Sequence, residues 1–99
     1  MKKKLEINYT KKADKFLAKN INTISKNDVD ILIIKSVRKI FNYDESINID
    51  LKKMSTIDNC FRIRKGDIRI LFFINETDEL IVSIVEMIGY RGDVYKKYP

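Results

Sequence analysis

Three of the five arginines, Arg62, Arg64 and Arg69, stand within eight positions of one another in the stretch FRIRKGDIRILFFI, residues 61–74. The rest of that stretch has the composition of a hairpin, two apolar runs about Gly66-Asp67. A two-residue loop at Gly66-Asp67 sets Lys65 opposite Ile68 and Arg64 opposite Arg69. Directly opposed residues share a face, so Arg64 and Arg69 lie together, with Arg62 two residues along. Sliding the loop to Lys65-Gly66 opposes Arg62 to Arg69 and still leaves the three together. Phe61, Ile63, Ile70 and Phe72 then take the other face. Opposed like charges destabilise a pair by some tenths of a kcal/mol up to about 1 kcal/mol. Neither strand carries a carboxylate on that face to relieve it. A face that is merely solvated mixes its signs; this one does not. Guanidinium is a planar, permanently charged fork suited to phosphate oxygens, and it is used here in a chain with fifteen lysines. The pattern reads as a face for a polyanion, with a plain solvated basic strand pair as the alternative.

Such a face has a chemistry available to it. RNA is cut when a nucleotide's own 2′-OH attacks the adjacent phosphorus, which needs neither a metal nor a protein nucleophile. The protein has to hold the phosphate in line, stabilise charge on its oxygens and move two protons. Arginines serve the second task. Downstream, IGYRGDVYKKYP brings Tyr90, Arg91 and Tyr95 towards the edge of the sheet. Taken singly, each tyrosine is an aromatic lid and Arg91 a surface charge.

The elements that must position these residues follow from periodicity. Lys4 to Tyr9 alternates, with Leu5, Ile7 and Tyr9 on one face, as a first strand does. Thr10 caps a helix whose apolar positions are Ala13, Phe16, Leu17, Ile21 and Ile24. Ser25-Lys-Asn-Asp28 has the form of a capping box and opens a second helix. Its stripe is Val29, Leu32, Ser36, Val37 and Ile40, and NYDES ends it. Phe61 to Arg64, Ile68 to Ile74 and Leu80 to Ile88 are three strands, separated by KGD and NETDE. The last is apolar almost throughout and so belongs in the interior of the sheet. The order is β-α-α-β-β-β, an α+β fold with a helical hairpin on one face of a largely antiparallel sheet.

Composition narrows the classes. Ninety-nine residues, 44% hydrophobic and 34% charged, suit one folded domain over residues 1–99 and argue against disorder. The net charge of +6 and a pI near 9.4 favour acidic partners. With no histidine and one cysteine, a transition-metal site and histidine acid–base chemistry are not expected, nor is any cofactor. Cys60 has no partner for a disulfide, which fits a reducing compartment, and reads as a small apolar residue at a strand entrance. The lysines of MKKKLEINYT are not followed by the apolar core of a signal peptide, because Glu6 and Asn8 interrupt it. No run is long enough to span a membrane. The expectation is a cytoplasmic protein.

The two segments together resemble a family. FRIRKGDIRILFF followed by LIVSIVEMIGYRGDVY is similar to the C-terminal signature of the RelE/ParE superfamily of bacterial toxins, YRIRxGDYRhhY and then hGHRxxVY, where h is apolar. The β-α-α-β-β-β order extends the resemblance over nearly the whole chain. LKKM, Leu51 to Met54, stands where members often carry a lysine-rich turn. The resemblance implies a toxin neutralised by a cognate antitoxin. RelE-like members cut mRNA on the ribosome; ParE-like members inhibit DNA gyrase and cut nothing. Retention of Arg62, Arg64, Arg69, Arg91 and Tyr95 resembles the ribonuclease branch, with the arginines on the phosphate and Tyr95 and Arg91 in proton transfer. Lys52, Lys53, Tyr90, Lys96 and Lys97 are the matching candidates for substrate binding. Many ribonuclease members carry histidine where this chain has Tyr90, which leaves Arg91 or Tyr90 as the proton donor. A tyrosine pKa of about 10 is high for a base at neutral pH, and dense positive charge would lower it. A gyrase inhibitor and a non-toxic basic nucleic-acid-binding module are the alternatives.

Overall fold

Helix starts are set by their caps. Thr10 Oγ1 accepts from the Ala13 N–H at 3.2 Å and opens α1 (Lys11–Lys19). Ser25 and Asp28 exchange side chain and backbone bonds of 3.1 and 3.0 Å, a capping box that opens α2 (Lys26–Ile40). Between the helices, the Asn20 side chain donates to the Phe16 carbonyl at 2.8 Å and ends α1 a turn earlier than periodicity suggests. Ile21, expected on the α1 stripe, therefore lies in the turn and is 72% exposed, while Ile24 is buried. The α2 stripe buries Val29, Ile33, Ser36 and Val37. The computed structural model describes residues 3–41 and 46–97, without the side chain of Lys97. Positions 42–45 of NYDES lie outside the described residues.

The strands are β1 (Lys4–Tyr9), β2 (Asp50–Lys53), β3 (Cys60–Lys65), β4 (Ile68–Glu76) and β5 (Leu80–Tyr90), followed by a short helix α3 (Arg91–Lys97). They form one sheet in the order β1-β5-β4-β3-β2, antiparallel except for β1 beside β5. The apolar β5 sits inside the sheet, as its composition requires. Two elements add to the expected order. Leu51 to Met54 was expected as a turn, yet Asp50–Lys53 is an edge strand on β3. Ile49 and Leu51 pack against the core, and this alternation fixes the strand. α3 is the second addition.

Both longer helices cover one face. Ala13, Leu17, Val29, Ile33 and Val37 pack on Ile63, Ile70, Phe72, Ile74, Ile81, Val85 and Ile88. Each such side chain contributes roughly 1.5–3 kcal/mol when fully buried. Between Leu71 and Phe72 the β4–β5 register shifts by one, a bulge that leaves Glu86 as the extra residue of β5. Past the bulge, Gly89 stands opposite Arg69 on the face away from the two long helices. α3 folds back over that face, with Val94 fully buried. No helix among the described residues is long and apolar enough to cross a membrane.

Candidate functional site

The β3–β4 turn adopts the first of the two loop settings. Lys65 is paired with Ile68 and Arg64 with Arg69, and Gly66 has a φ of 58°. A positive φ at the first central position alone is what a type II′ hairpin turn requires, and glycine takes it without strain. Arg62, Arg64 and Arg69 consequently share the face that α3 crosses. Phe61, Ile63, Ile70 and Phe72 face the long helices, with Phe61 stacked on Phe72 at 5.7 Å.

The three arginines differ in setting. Arg64 is exposed. Arg69 is 4% exposed and is tethered by its own hairpin, where its Nη1 donates to the carbonyls of Gly66 at 2.7 Å and Ile68 at 3.2 Å. Arg62 reaches in two directions: its Nη2 donates to Asp50 Oδ1 at 2.9 Å and its Nη1 to the Tyr95 hydroxyl oxygen at 3.2 Å. Arg64 Nε lies 3.8 Å from Asp50 Oδ2. The carboxylate missing from the hairpin is thus supplied by β2, and the cluster is partly compensated. Nε of Arg62 and Nε of Arg69 are buried and have no partner among the described residues. A buried donor left unpaired costs roughly 1–3 kcal/mol.

Tyr95 reaches this cluster from α3. The hydrogen bond from Arg62 holds its pKa below that of an ordinary tyrosine; burial opposes this, and the Arg69 guanidinium and both positive charges add to the lowering. The hydroxyl oxygen accepts, so the phenolate form is favoured. A cleft of about 290 Å³ opens beside it, lined by Lys52, Lys53, Met54, Ser55, Arg62 and Tyr95. A larger cleft, about 450 Å³, opens among Phe41, Phe61 and Ile74 on the other side of the sheet, with no converging cations. The first can hold an anion against the Arg62 guanidinium, Lys52, Lys53 and a tyrosine hydroxyl whose pKa is lowered, with the buried Arg69 guanidinium behind it.

Solved structures similar to this chain include a chain of the RelB–RelE antitoxin–toxin complex from Methanococcus jannaschii, with a TM-score of 0.54 at 18% identity. YafQ from Escherichia coli strain BL21(DE3) gives 0.54 at 11% identity, and a YafQ mutant from E. coli 0.55 at 14%. Each covers 93% of this chain and 99% of its own. The chain has the RelE-like toxin fold. No family model matches the sequence, and no curated protein does.

On this RelE-like fold the residues expected in the site do not all converge. Arg62, Arg69 and Tyr95 do, and Lys52 and Lys53 line the cleft. Lys52 is opposite Arg62 on the arginine face, whereas Lys53 reaches the rim from the sheet edge. Arg91 is exposed, one helical turn before Tyr95, with no side-chain hydrogen bond or ion pair among the described residues; Lys96 is exposed too. Tyr90 is elsewhere. It pairs with Ile68 and stands two residues beyond Ile88, so strand alternation sends it to the helical face. There its hydroxyl donates to Asn20 Oδ1 at 3.1 Å and its ring meets Phe16 edge-on at 5.5 Å. Asp50, Met54 and Ser55 were not anticipated. The alternation of Ile49 and Leu51 about Asp50 was the available signal, carried by too few residues to stand out. Cys60 is buried, as a small apolar residue would be, and burial pushes its thiol pKa up to about 11.

Proposed function

We propose that residues 1–99 are the toxin of a type II toxin–antitoxin pair and an endoribonuclease that cuts mRNA on the ribosome. One observation carries the reading: the Tyr95 hydroxyl accepts from Arg62 and is pushed towards phenolate beside two buried Nε–H groups that lack a partner. The RelE-like fold supports the toxin assignment, as does the description of one similar structure as an antitoxin–toxin complex.

In this mechanism the scissile phosphate lies in the cleft, with its non-bridging oxygens on Arg62 and Arg69. Tyr95, as phenolate, takes the proton of the 2′-OH. The 2′-oxygen bonds to phosphorus, the bond from phosphorus to the 5′-oxygen breaks, and the 5′-oxygen is protonated by water. A cyclic phosphate and a 5′-hydroxyl end result, and Tyr95 returns its proton to solvent. Tyr90, across the sheet, has no part in this. Arg91, exposed one helical turn before Tyr95, serves as a fixed charge near the leaving oxygen. Arg64 with Lys52, Lys53 and Lys96 adds attraction to neighbouring phosphates, which salt weakens; the side chain of Lys97 lies outside the described residues. No step assigns chemistry to a metal or cofactor. The cognate antitoxin brings acidic and apolar residues over the arginine face.

Pulse labelling after induction of the chain alone tests the reading. Protein synthesis should stop first, with mRNA cut on ribosomes. Arrest of DNA synthesis first, with gyrase–DNA complexes and intact mRNA, would refute it in favour of a gyrase inhibitor.

A further inference from the structure

Gly89 lies inside β5, where glycine weakens a strand and where its φ is not positive, so the backbone conformation does not call for it. A glycine so placed marks a close approach by another part of the molecule. Here that part is Val94 of α3. A Cβ built on Gly89 would stand 2.9 Å from Val94 Cγ2. Carbon atoms in good contact are about 3.5–4.0 Å apart, so an added methyl would have to lift α3 by roughly 0.6 Å or more. Val94 is fully buried and has little room to turn aside. Gly66 and Gly92, by contrast, have open space where a Cβ would go.

Three attachments hold α3 over the sheet. Its first N–H, that of Arg91, donates to the Asp67 carbonyl at 3.0 Å; Val94 rests on Gly89; and Tyr95, the next residue, takes the bond from Arg62. That bond is 3.2 Å long, already at the far end of the ordinary range, so a lift of the size the Gly89 methyl demands breaks it. We propose that Gly89 is a positioning residue for Tyr95, its bare backbone letting Val94 seat α3 low enough for the Tyr95 hydroxyl to reach the Arg62 guanidinium. Only the activity arm of the test below rests on the ribonuclease reading.

The test is the titration of Tyr95 in the full chain, followed by NMR of tyrosine labelled with 13C at Cζ, with the Tyr95→Phe variant assigning the signal. Gly89→Ala should raise the Tyr95 midpoint towards that of an ordinary tyrosine. Gly92→Ala, the control, should leave it in place. Adding Val94→Ala to Gly89→Ala removes the clashing methyl and should bring the midpoint back down. A Gly89→Ala midpoint equal to wild type overturns the proposal, and so does a double variant that stays as high as the single one. If Gly89→Ala alone does not fold, the folded double variant decides: a low midpoint supports the seating of α3, a high one refutes it. Cleavage should fall about 100-fold in Gly89→Ala and recover in the double variant, since small misplacements of a reacting group cost that much. Should the titrations behave as expected while Tyr95→Phe still cuts RNA at full rate, the positioning stands and the ribonuclease reading fails.

Discussion

Replacing Arg62 with lysine keeps the charge and removes the fork, and the geometry says how much that matters. Arg62 donates through Nη1 to Tyr95 and through Nη2 to Asp50. A single ammonium cannot stand at both ends of that span. Drawn to Asp50, it leaves Tyr95 without its main donor; drawn to Tyr95, it leaves the orientation set by Asp50. Loss of one donor to charge developing in the transition state costs about 2.7–4 kcal/mol, or 10²–10³ in rate. The retained charge restores part of this, so cleavage by Arg62→Lys should fall about 10- to 100-fold, at roughly 1.4 kcal/mol per factor of ten. Stability should change far less. The Asp50 side chain is 50% exposed and keeps Arg64 at 3.8 Å, so the lost ion pair is worth about 1 kcal/mol at most. That corresponds to a drop in Tm of roughly 4–8 °C or less in a chain of this size. Single-turnover cleavage on programmed ribosomes, beside a thermal melt, separates the two. Wild-type cleavage by a folded Arg62→Lys variant would refute the bidentate role.

Other outcomes follow from the same geometry. Arg69→Ala removes a nearly buried guanidinium from the site and should cost about 2–4 kcal/mol in transition-state stabilisation, read as a fall in kcat. If Tyr95 acts as phenolate, cleavage should rise with pH through its lowered pKa and level off above it; a rate that falls over that range would contradict the assignment. Tyr9 behaves oppositely: burial and its 2.5 Å bond to Asp30 raise its pKa above the ordinary 10.0. Its contribution to stability is complete below about pH 10, where the unfolded chain's tyrosine also stays protonated, and is lost as pH rises beyond that. Tyr9→Phe should therefore flatten the alkaline limb of the unfolding free energy. If a cognate antitoxin lays a carboxylate-rich segment on the arginine face, its association should slow as ionic strength rises; a rate independent of salt would count against that attraction.

What the sequence made legible was whatever a strict period or a local cap controls. The two-residue loop fixed which residues share the arginine face, and the Ser25–Asp28 box placed the start of α2. The sequence concealed contacts made between elements distant along the chain. Asp50 reaches Arg62 only because a four-residue edge strand pairs with β3, too short a segment to show its alternation. Tyr90 follows the parity of β5 rather than its nearness to Arg91 and Tyr95 in sequence, and so lands beside Phe16 and Asn20. Tyr95 arrives at the site through α3, whose seating on Gly89 is a matter of packing that no period records. Chemistry-bearing residue types were visible along the chain, but their convergence depended on topology.

The most direct measurement is the mapping of mRNA 5′ ends in cells induced for this chain or for its Tyr95→Phe variant, each first shown to be folded by circular dichroism. The variant keeps the aromatic body on α3 and removes only the ionisable hydroxyl that accepts from Arg62. Loss of a positioned base lowers cleavage by roughly two to four orders of magnitude. New 5′ ends should appear with the wild-type chain and be nearly absent with the variant, while both bind ribosomes alike. Equal cleavage by the two would contradict the account, leaving Tyr95 a structural residue.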